Sequence, residues 1–149
     1  MKLLIPPPVV ALLAGFIMWI LAGQVGWLVA FSGQLMLACL AVACGVMIDL
    51  SALIAFRKAR TTINPLSPDK TVTLVSTGVF RFTRNPMYLG LVFILAGWLI
   101  WLGQPLNIPV LFALIAYLTQ FQIKPEEAVL VEKFGDTYLA YQRRVRRWI

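Results

Sequence analysis

Four long apolar segments divide this chain, and they decide which folds it can adopt. They cover residues 4–23, 28–56, 87–103 and 106–123. A helix of about 20 apolar residues crosses the hydrocarbon core of a bilayer, and each segment is close to that length or longer. With 60% hydrophobic residues and a mean hydropathy of +0.84, the composition lies outside the range of soluble globular proteins. The sequence therefore predicts a single-domain, all-α integral membrane protein with four transmembrane helices.

The positions of the basic residues predict how these helices are oriented. All thirteen lysines and arginines fall at Lys2, between Arg57 and Arg84, or from Lys124 onward. By the positive-inside rule, both termini and a loop over residues 57–86 are expected on the cytoplasmic side. Because long apolar segments separate these basic residues, we expect no binding of nucleic acid.

Residue types that bind metals are scarce in this chain. There is no histidine, and the two cysteines, Cys39 and Cys44, lie in one apolar segment, about 140° apart around a helix. That arrangement predicts neither a disulfide nor a zinc site. We expect no bound metal.

Asp49 is a carboxylate within the second apolar segment, and such a residue is a functional-site hypothesis by default. Residues 28–48 precede it and would form about 31 Å of helix, enough to cross the membrane. Asp49 is therefore expected at the inner interface. A structural or cofactor-adjacent polar contact is favoured there over a proton relay.

A first polar cluster stands at the start of the third apolar segment. Asn85 precedes Pro86, which is typical of a helix N-cap followed by proline at the first helical position. Backbone N–H groups at a helix start attract anions, Arg84 adds a positive charge, and Tyr88 adds a ring and a hydroxyl group. The residues alone leave two interpretations open: a binding site, or interfacial anchors of the helix.

A second polar cluster follows the fourth segment. Glu126 and Glu127 open a predicted amphipathic helix over residues 125–148, which we expect on the cytoplasmic leaflet and divided at Gly135. A short outer turn makes the third and fourth segments an antiparallel hairpin. The two clusters are therefore expected to face each other, and together they suit a zwitterionic cofactor.

Two stretches resemble the motifs of a known superfamily. They read LVSTGVFRFTRNPMYLG at residues 74–90 and EEAVLVEKFGDTYLAY at residues 126–141. The isoprenylcysteine carboxyl methyltransferase and phospholipid methyltransferase superfamily carries LVTSGxYxxxRHPxYxG before a membrane helix and EExxLxxxFGxxYxxY after the next one. The resemblance extends over about residues 57–145.

This resemblance implies a membrane enzyme that binds S-adenosyl-L-methionine at the cytoplasmic face, in the inner membrane of a bacterium or archaeon. Its acceptor would be a lipophilic small molecule or a prenylated substrate that enters from the membrane lipid. The cofactor contacts of the family fall on nine positions of this chain: Thr73, Leu74, Val75, Phe80, Asn85, Pro86, Met87, Tyr88 and Glu126. The catalytic positions expected from the resemblance are Arg84, Glu126 and Glu127, and the substrate-binding position is Gln122.

Three positions depart from the family pattern. Asn85 stands where the family has histidine, Phe80 where it has tyrosine, and Gln122 where the prenylcysteine enzymes have a substrate-binding arginine. Carboxyl O-methylation of an isoprenylcysteine-like substrate is the leading expectation. N-methylation of a phospholipid such as phosphatidylethanolamine is the first alternative, and a non-catalytic membrane scaffold or subunit is the second.

Overall fold

The computed structural model describes residues 5–24, 28–59 and 74–149, and all regular secondary structure in these ranges is helical. The five α-helices are α1 (Pro7–Gln24), α2 (Gln34–Lys58), α3 (Pro86–Leu102), α4 (Ile108–Tyr117) and α5 (Lys124–Arg144). Two 3-10 turns, Gly78–Arg81 and Pro105–Asn107, precede α3 and α4, and a π-helical stretch, Leu118–Ile123, joins α4 to α5. The predicted all-α class is confirmed.

Three helical stretches are long and apolar enough to cross a membrane: α1, α2, and the continuous run Pro105–Arg144 that contains α4 and α5. The fourth, α3, is a shorter apolar helix of 17 residues. The middle of the predicted cytoplasmic loop, residues 60–73, lies outside the described residues, as does Thr73 within it.

The start of α2 differs from the prediction. The predicted segment began at residue 28, but the helix begins at Gln34, after Gly33 in a left-handed conformation with φ 86°. Val29 instead donates its backbone N–H to the carbonyl oxygen of Gly103 at 2.7 Å, which ties this segment to the C-terminal end of α3. Only about 22 Å of helix therefore precedes Asp49, less than the roughly 30 Å of a bilayer core. Asp49 lies beside Gly90, in the second turn of α3. Its expected position at the inner interface stays a prediction.

Glycines bring α2 and α3 into close contact, and these two helices share the largest interface in the described structure. A Cβ atom at Gly45 would lie 2.6 Å from the carbonyl oxygen of Gly90, and one at Gly97 would lie 2.6 Å from Cγ2 of Val42. Small residues are common at such interfaces because they let two helix backbones approach each other. The interface fixes the position of α3 against α2.

The boundaries of α3 agree closely with the sequence. Asn85 is the N-cap residue, Pro86 takes the first helical position, and Gly103 ends the helix with φ 63°. A glycine in the left-handed conformation is a common C-terminal stop signal. One detail differs, because the Asn85 side chain makes no capping hydrogen bond.

The predicted break between the fourth span and the last helix is absent. The chain stays helical from Ile108 through the π-helical stretch and past Pro125 as far as the bend at Gly135. Pro125 lacks an N–H group and its ring would clash with the carbonyl group of Phe121 in a regular α-helix. The wider π-helical turn relieves that clash, which explains why a proline lies inside a continuous helix here.

The last helix bends and ends earlier than residue 148. Gly135 has φ 50° and ψ −129°, so α5 consists of two pieces joined at the predicted position. The helix ends at Arg144, and Val145 is extended with φ −123° and ψ 131°. Residues 145–149 therefore leave the helix and run back toward the start of α3; we call them the C-terminal strap.

Candidate functional site

The two polar clusters meet at a hydrogen bond between Tyr88 and Glu126. Tyr88 lies in the first turn of α3 and Glu126 in the first turn of α5, and the tyrosine hydroxyl donates to Oε1 of the glutamate at 2.5 Å. Only 6% of Tyr88 is exposed. Hydrogen bonds to a carboxylate are shorter and stronger than neutral ones, so this contact ties the starts of the two helices together.

The Glu126 carboxyl group has an altered proton affinity. It lies three residues beyond Ile123, where the fourth apolar segment ends. The pKa of Glu126 is raised to about 7, chiefly by burial, with the hydrogen bond from Tyr88 opposing this rise and the neighbouring Glu127 adding to it. Glu126 therefore changes charge near neutral pH, as is typical of groups that bind ligands or move protons.

Glu127, although adjacent in sequence, has different partners. Its Oε2 lies 2.7 Å from Nη2 of Arg147, and its Oε1 accepts from Nε of Arg147 at 3.1 Å. Nη1 of Arg84 lies 3.2 Å from the same Oε1, within ion-pair distance but without the geometry of a hydrogen bond. The hydrogen bonds to Glu127 raise the pKa of Arg147. Arg84 and Glu127, both expected to be catalytic, thus lie in one ion-pair cluster.

The C-terminal strap covers the start of α3. The Arg147 carbonyl oxygen accepts from Nδ2 of Asn85 at 2.9 Å and from Oγ1 of Thr83 at 3.2 Å. Trp148 extends further and donates from Nε1 to Oγ1 of Thr119 at 3.2 Å. These contacts could not be predicted from the sequence, because its helical periodicity continues beyond α5 as far as Trp148.

Apolar residues of the first motif pack against α2. Val75 and Phe80 are buried against Ala52, and the Phe80 ring meets Phe56 edge-on with centroids 5.2 Å apart. Tyr141, from the second motif, donates its hydroxyl to the Phe80 carbonyl oxygen at 2.6 Å. This is a second direct connection between the two motifs.

The predicted site residues therefore form two groups on different sides of α3. Tyr88 and Glu126 belong to one group, and Val75 and Phe80 belong to the other. Tyr88 packs in the core between α1, α3 and α4, whereas Gly90, about 200° away around the helix, packs against α2. Pro86 is buried and Met87 is exposed, while Leu74 is partly buried. A ligand that contacts both groups has to lie across the N-terminal end of α3.

Gln122 faces the first helix. Its Nε2 donates to the carbonyl oxygen of Ile5 at 2.8 Å, and its side chain is buried. Its Oε1 is also buried, without a hydrogen-bond partner in the described residues. The position expected to bind substrate thus contacts the start of α1.

An open apolar groove of about 510 Å³ lies at the opposite end of the helices. Trp19 and Ile20 of α1 and Trp101 and Leu102 of α3 form much of its lining. None of the predicted site residues contributes to it. The groove is therefore separate from the site at Tyr88 and Glu126.

Comparison with known proteins bears on the same part of the chain. Residues 33–137 match the family model described as phospholipid methyltransferase. An uncharacterized protein of Haemophilus influenzae is 46% identical over 63 residues, which is 42% of this chain and the whole of that protein. No solved structure gives a significant match to the chain.

Two fungal enzymes are similar over about half of the chain. The protein-S-isoprenylcysteine O-methyltransferase of Saccharomyces cerevisiae is 32% identical over 72 residues, 48% of this chain. The enzyme of the same name from Schizosaccharomyces pombe is 36% identical over 73 residues, also 48% of this chain. In each case the match spans 30% of the fungal protein.

Proposed function

Because the chain belongs to the phospholipid methyltransferase family, we propose that it is a membrane-embedded enzyme that uses S-adenosylmethionine to methylate a lipophilic acceptor. The observation that best supports this proposal is the hydrogen bond between Tyr88 and Glu126, which joins the two motifs. A fold that kept the motifs only as separate helix starts would not require that contact. The cytoplasmic location of the site is part of the proposal and follows from the positive-inside rule.

The residues present suit a zwitterionic methyl donor. Glu126 offers a buried carboxylate to an ammonium group. The start of α3 offers backbone N–H groups to a carboxylate, and the Asn85 side chain does not cap them. Val75 and Phe80 offer an apolar surface to an aromatic base. When bound, S-adenosylmethionine supplies an electrophilic methyl group.

We propose a carboxylate as the acceptor, as in carboxyl O-methylation of an isoprenylcysteine-like molecule. The two fungal isoprenylcysteine O-methyltransferases support this choice, because the similarity to them covers about half of the chain. A carboxylate is already ionised at neutral pH, so the protein has only to align it and exclude water. No general base is needed for that reaction.

An amine acceptor, as in phospholipid N-methylation, is the second candidate. One specific observation favours it: the pKa of Glu126 is near 7, which suits a group that accepts a proton from an ammonium group. The ion pairing of Arg84 with Glu127 also leaves that arginine less available as a counter-ion for a carboxylate substrate. Both acceptors would be served by the same donor site.

Methyl transfer from labelled S-adenosylmethionine tests the proposal. Purified protein in detergent is incubated with a farnesylated cysteine derivative or with phosphatidylethanolamine. We expect label on the prenylcysteine, and a loss of at least tenfold in Tyr88→Phe and Glu126→Gln. Glu132→Gln is the matched control, because Glu132 is an exposed carboxylate on the same helix.

The possible outcomes separate the three hypotheses. Label on phosphatidylethanolamine alone would replace the carboxylate acceptor by an amine. A folded protein that labels neither acceptor and binds no donor would support the non-catalytic scaffold instead.

A further inference from the structure

Asp49 is a partly buried carboxylate that the proposed reaction does not use. It lies within α2, the most hydrophobic long span, and its Oδ1 is buried without a hydrogen-bond partner in the described part of the chain. The carboxyl group packs directly against the backbone of Gly90. A Cβ atom at Gly90 would collide with it, so the glycine makes room for the carboxylate.

This position borders the apolar part of the candidate site. Asp49 is one helical turn from Ala52, which packs against Val75 and Phe80. Gly90 is one turn from Pro86 in α3. Asp49 therefore lies between the first motif's apolar residues and the first turn of α3, on the side of α3 away from Glu126.

A carboxylate in this environment is unfavourable unless something pairs with it. Burying an ionised or polar group without a partner costs free energy, and native proteins tolerate that cost mainly at functional sites. Because Asp49 as a whole is only partly buried, its other carboxyl oxygen can accept a hydrogen bond from a donor group of a ligand. The hydroxyl groups of a ribose have the matching chemistry, since paired hydroxyls donate readily to one carboxylate.

We propose that Asp49 binds the ribose hydroxyl groups of the methyl donor. The inference rests on the proposed function and deepens it, because it assigns opposite ends of one ligand to opposite sides of α3. Val75 and Phe80 contact the base, Asp49 accepts from the ribose next to it, and Glu126 holds the amino-acid end beyond the helix start. Asp49 is thus a binding residue of the donor site.

Ligand binding to Asp49→Asn protein in detergent tests this assignment. Two probes are used: 5′-methylthioadenosine, which has the base and ribose but no amino-acid group, and its 2′,3′-dideoxy analogue. We expect Asp49→Asn to weaken binding of the first about tenfold and to leave binding of the second within about twofold of wild type. Ser51→Ala is the matched control, because Ser51 is exposed on the same helix. Its hydroxyl group donates to the Met47 carbonyl oxygen of the preceding turn.

Thermal unfolding of the same variants separates binding from folding. Removing a partly buried, unpaired charge is expected to leave the unfolding temperature unchanged or higher. Equal affinity of wild type and Asp49→Asn for 5′-methylthioadenosine would overturn the inference, as would an equal loss for both probes. If wild-type protein binds neither these probes nor S-adenosylmethionine, the proposed function itself fails, and the inference fails with it.

Discussion

Glu126 and Glu127 are neighbours in sequence, but their carboxylates meet different partners. Glu126 accepts from a buried tyrosine, whereas Glu127 bonds Arg147 and lies close to Arg84. The first arrangement leaves a carboxyl group that titrates near neutral pH, and the second holds the strap and the start of α3 against α5. The catalytic role expected for Glu127 stays a prediction, and its ion pairs give it an anchoring role as well.

The altered pKa of Glu126 predicts a pH dependence of donor binding. A carboxyl group with a pKa of about 7 is mostly neutral at pH 6 and mostly ionised at pH 8. Because the ionised form attracts a cationic ligand, we expect S-adenosylmethionine to bind about tenfold more tightly at pH 8 than at pH 6. Calorimetric titration in detergent at both pH values measures this.

Glu126→Gln serves as the reference for that measurement. The variant cannot ionise at this position, so its affinity is expected to be weaker and to change much less between the two pH values. An equally steep pH dependence in Glu126→Gln would mean that another group, on the protein or the ligand, causes it.

At the level of helices, the contact between α2 and α3 depends on the absence of side chains. A Cβ atom at Gly97 would lie 2.6 Å from Val42 Cγ2 and 2.8 Å from the Ala38 carbonyl oxygen. Gly15 in α1 has only ordinary contact, 3.4 Å to Leu95 Cδ2. The two glycines thus offer a matched comparison of the same substitution.

We expect Gly97→Ala to destabilise the protein by about 1–3 kcal/mol, because one of the two helices must move. Gly15→Ala is expected to be neutral or slightly stabilising, since alanine is the better helix former. Unfolding in mixed detergent micelles measures both variants. Equal stability of the two would show that α2 and α3 are not held as closely as described.

Some helices could be predicted from sequence because their signals are local. Asn85, Pro86 and Gly103 mark both ends of α3, and Gly135 marks the bend of α5. The start of α2 could not be predicted, because residues 28–33 are as apolar as the membrane helix that follows them. They are not helical in the structure, where Val29 bonds the backbone of Gly103. The continuity at Pro125 depends on a π-helical turn, for which the sequence has no simple pattern.

At the scale of the whole molecule, the hairpin of α3 and α4 brings the two motifs together as the sequence predicts. The pairing of Tyr88 with Glu126 follows from the short turn between α3 and α4, which places the start of α3 beside the start of α5. The strap could not be foreseen, because the backbone carbonyl oxygen of Arg147 accepts from side chains 62 and 64 residues away. Neither could the burial of Gln122 against α1, which depends on how the first helix packs.

The width of α3 explains how one ligand could contact residues on both faces of this helix. An α-helix is about 10–12 Å across with its side chains, a distance that an extended nucleoside linked to an amino acid can span. Asp49 on one side of α3 and Glu126 on the other would then hold the donor at the start of this helix. We therefore propose that this end of the bundle is a single donor-binding site.

Calorimetric titration of S-adenosylmethionine into the purified protein in detergent at pH 8 tests that claim most directly. We predict saturable binding of one donor per chain by the wild type, and affinity at least tenfold weaker in both Glu126→Gln and Asp49→Asn with unfolding temperatures preserved. Absence of saturable binding by folded wild-type protein, or wild-type affinity in both variants, would contradict the account.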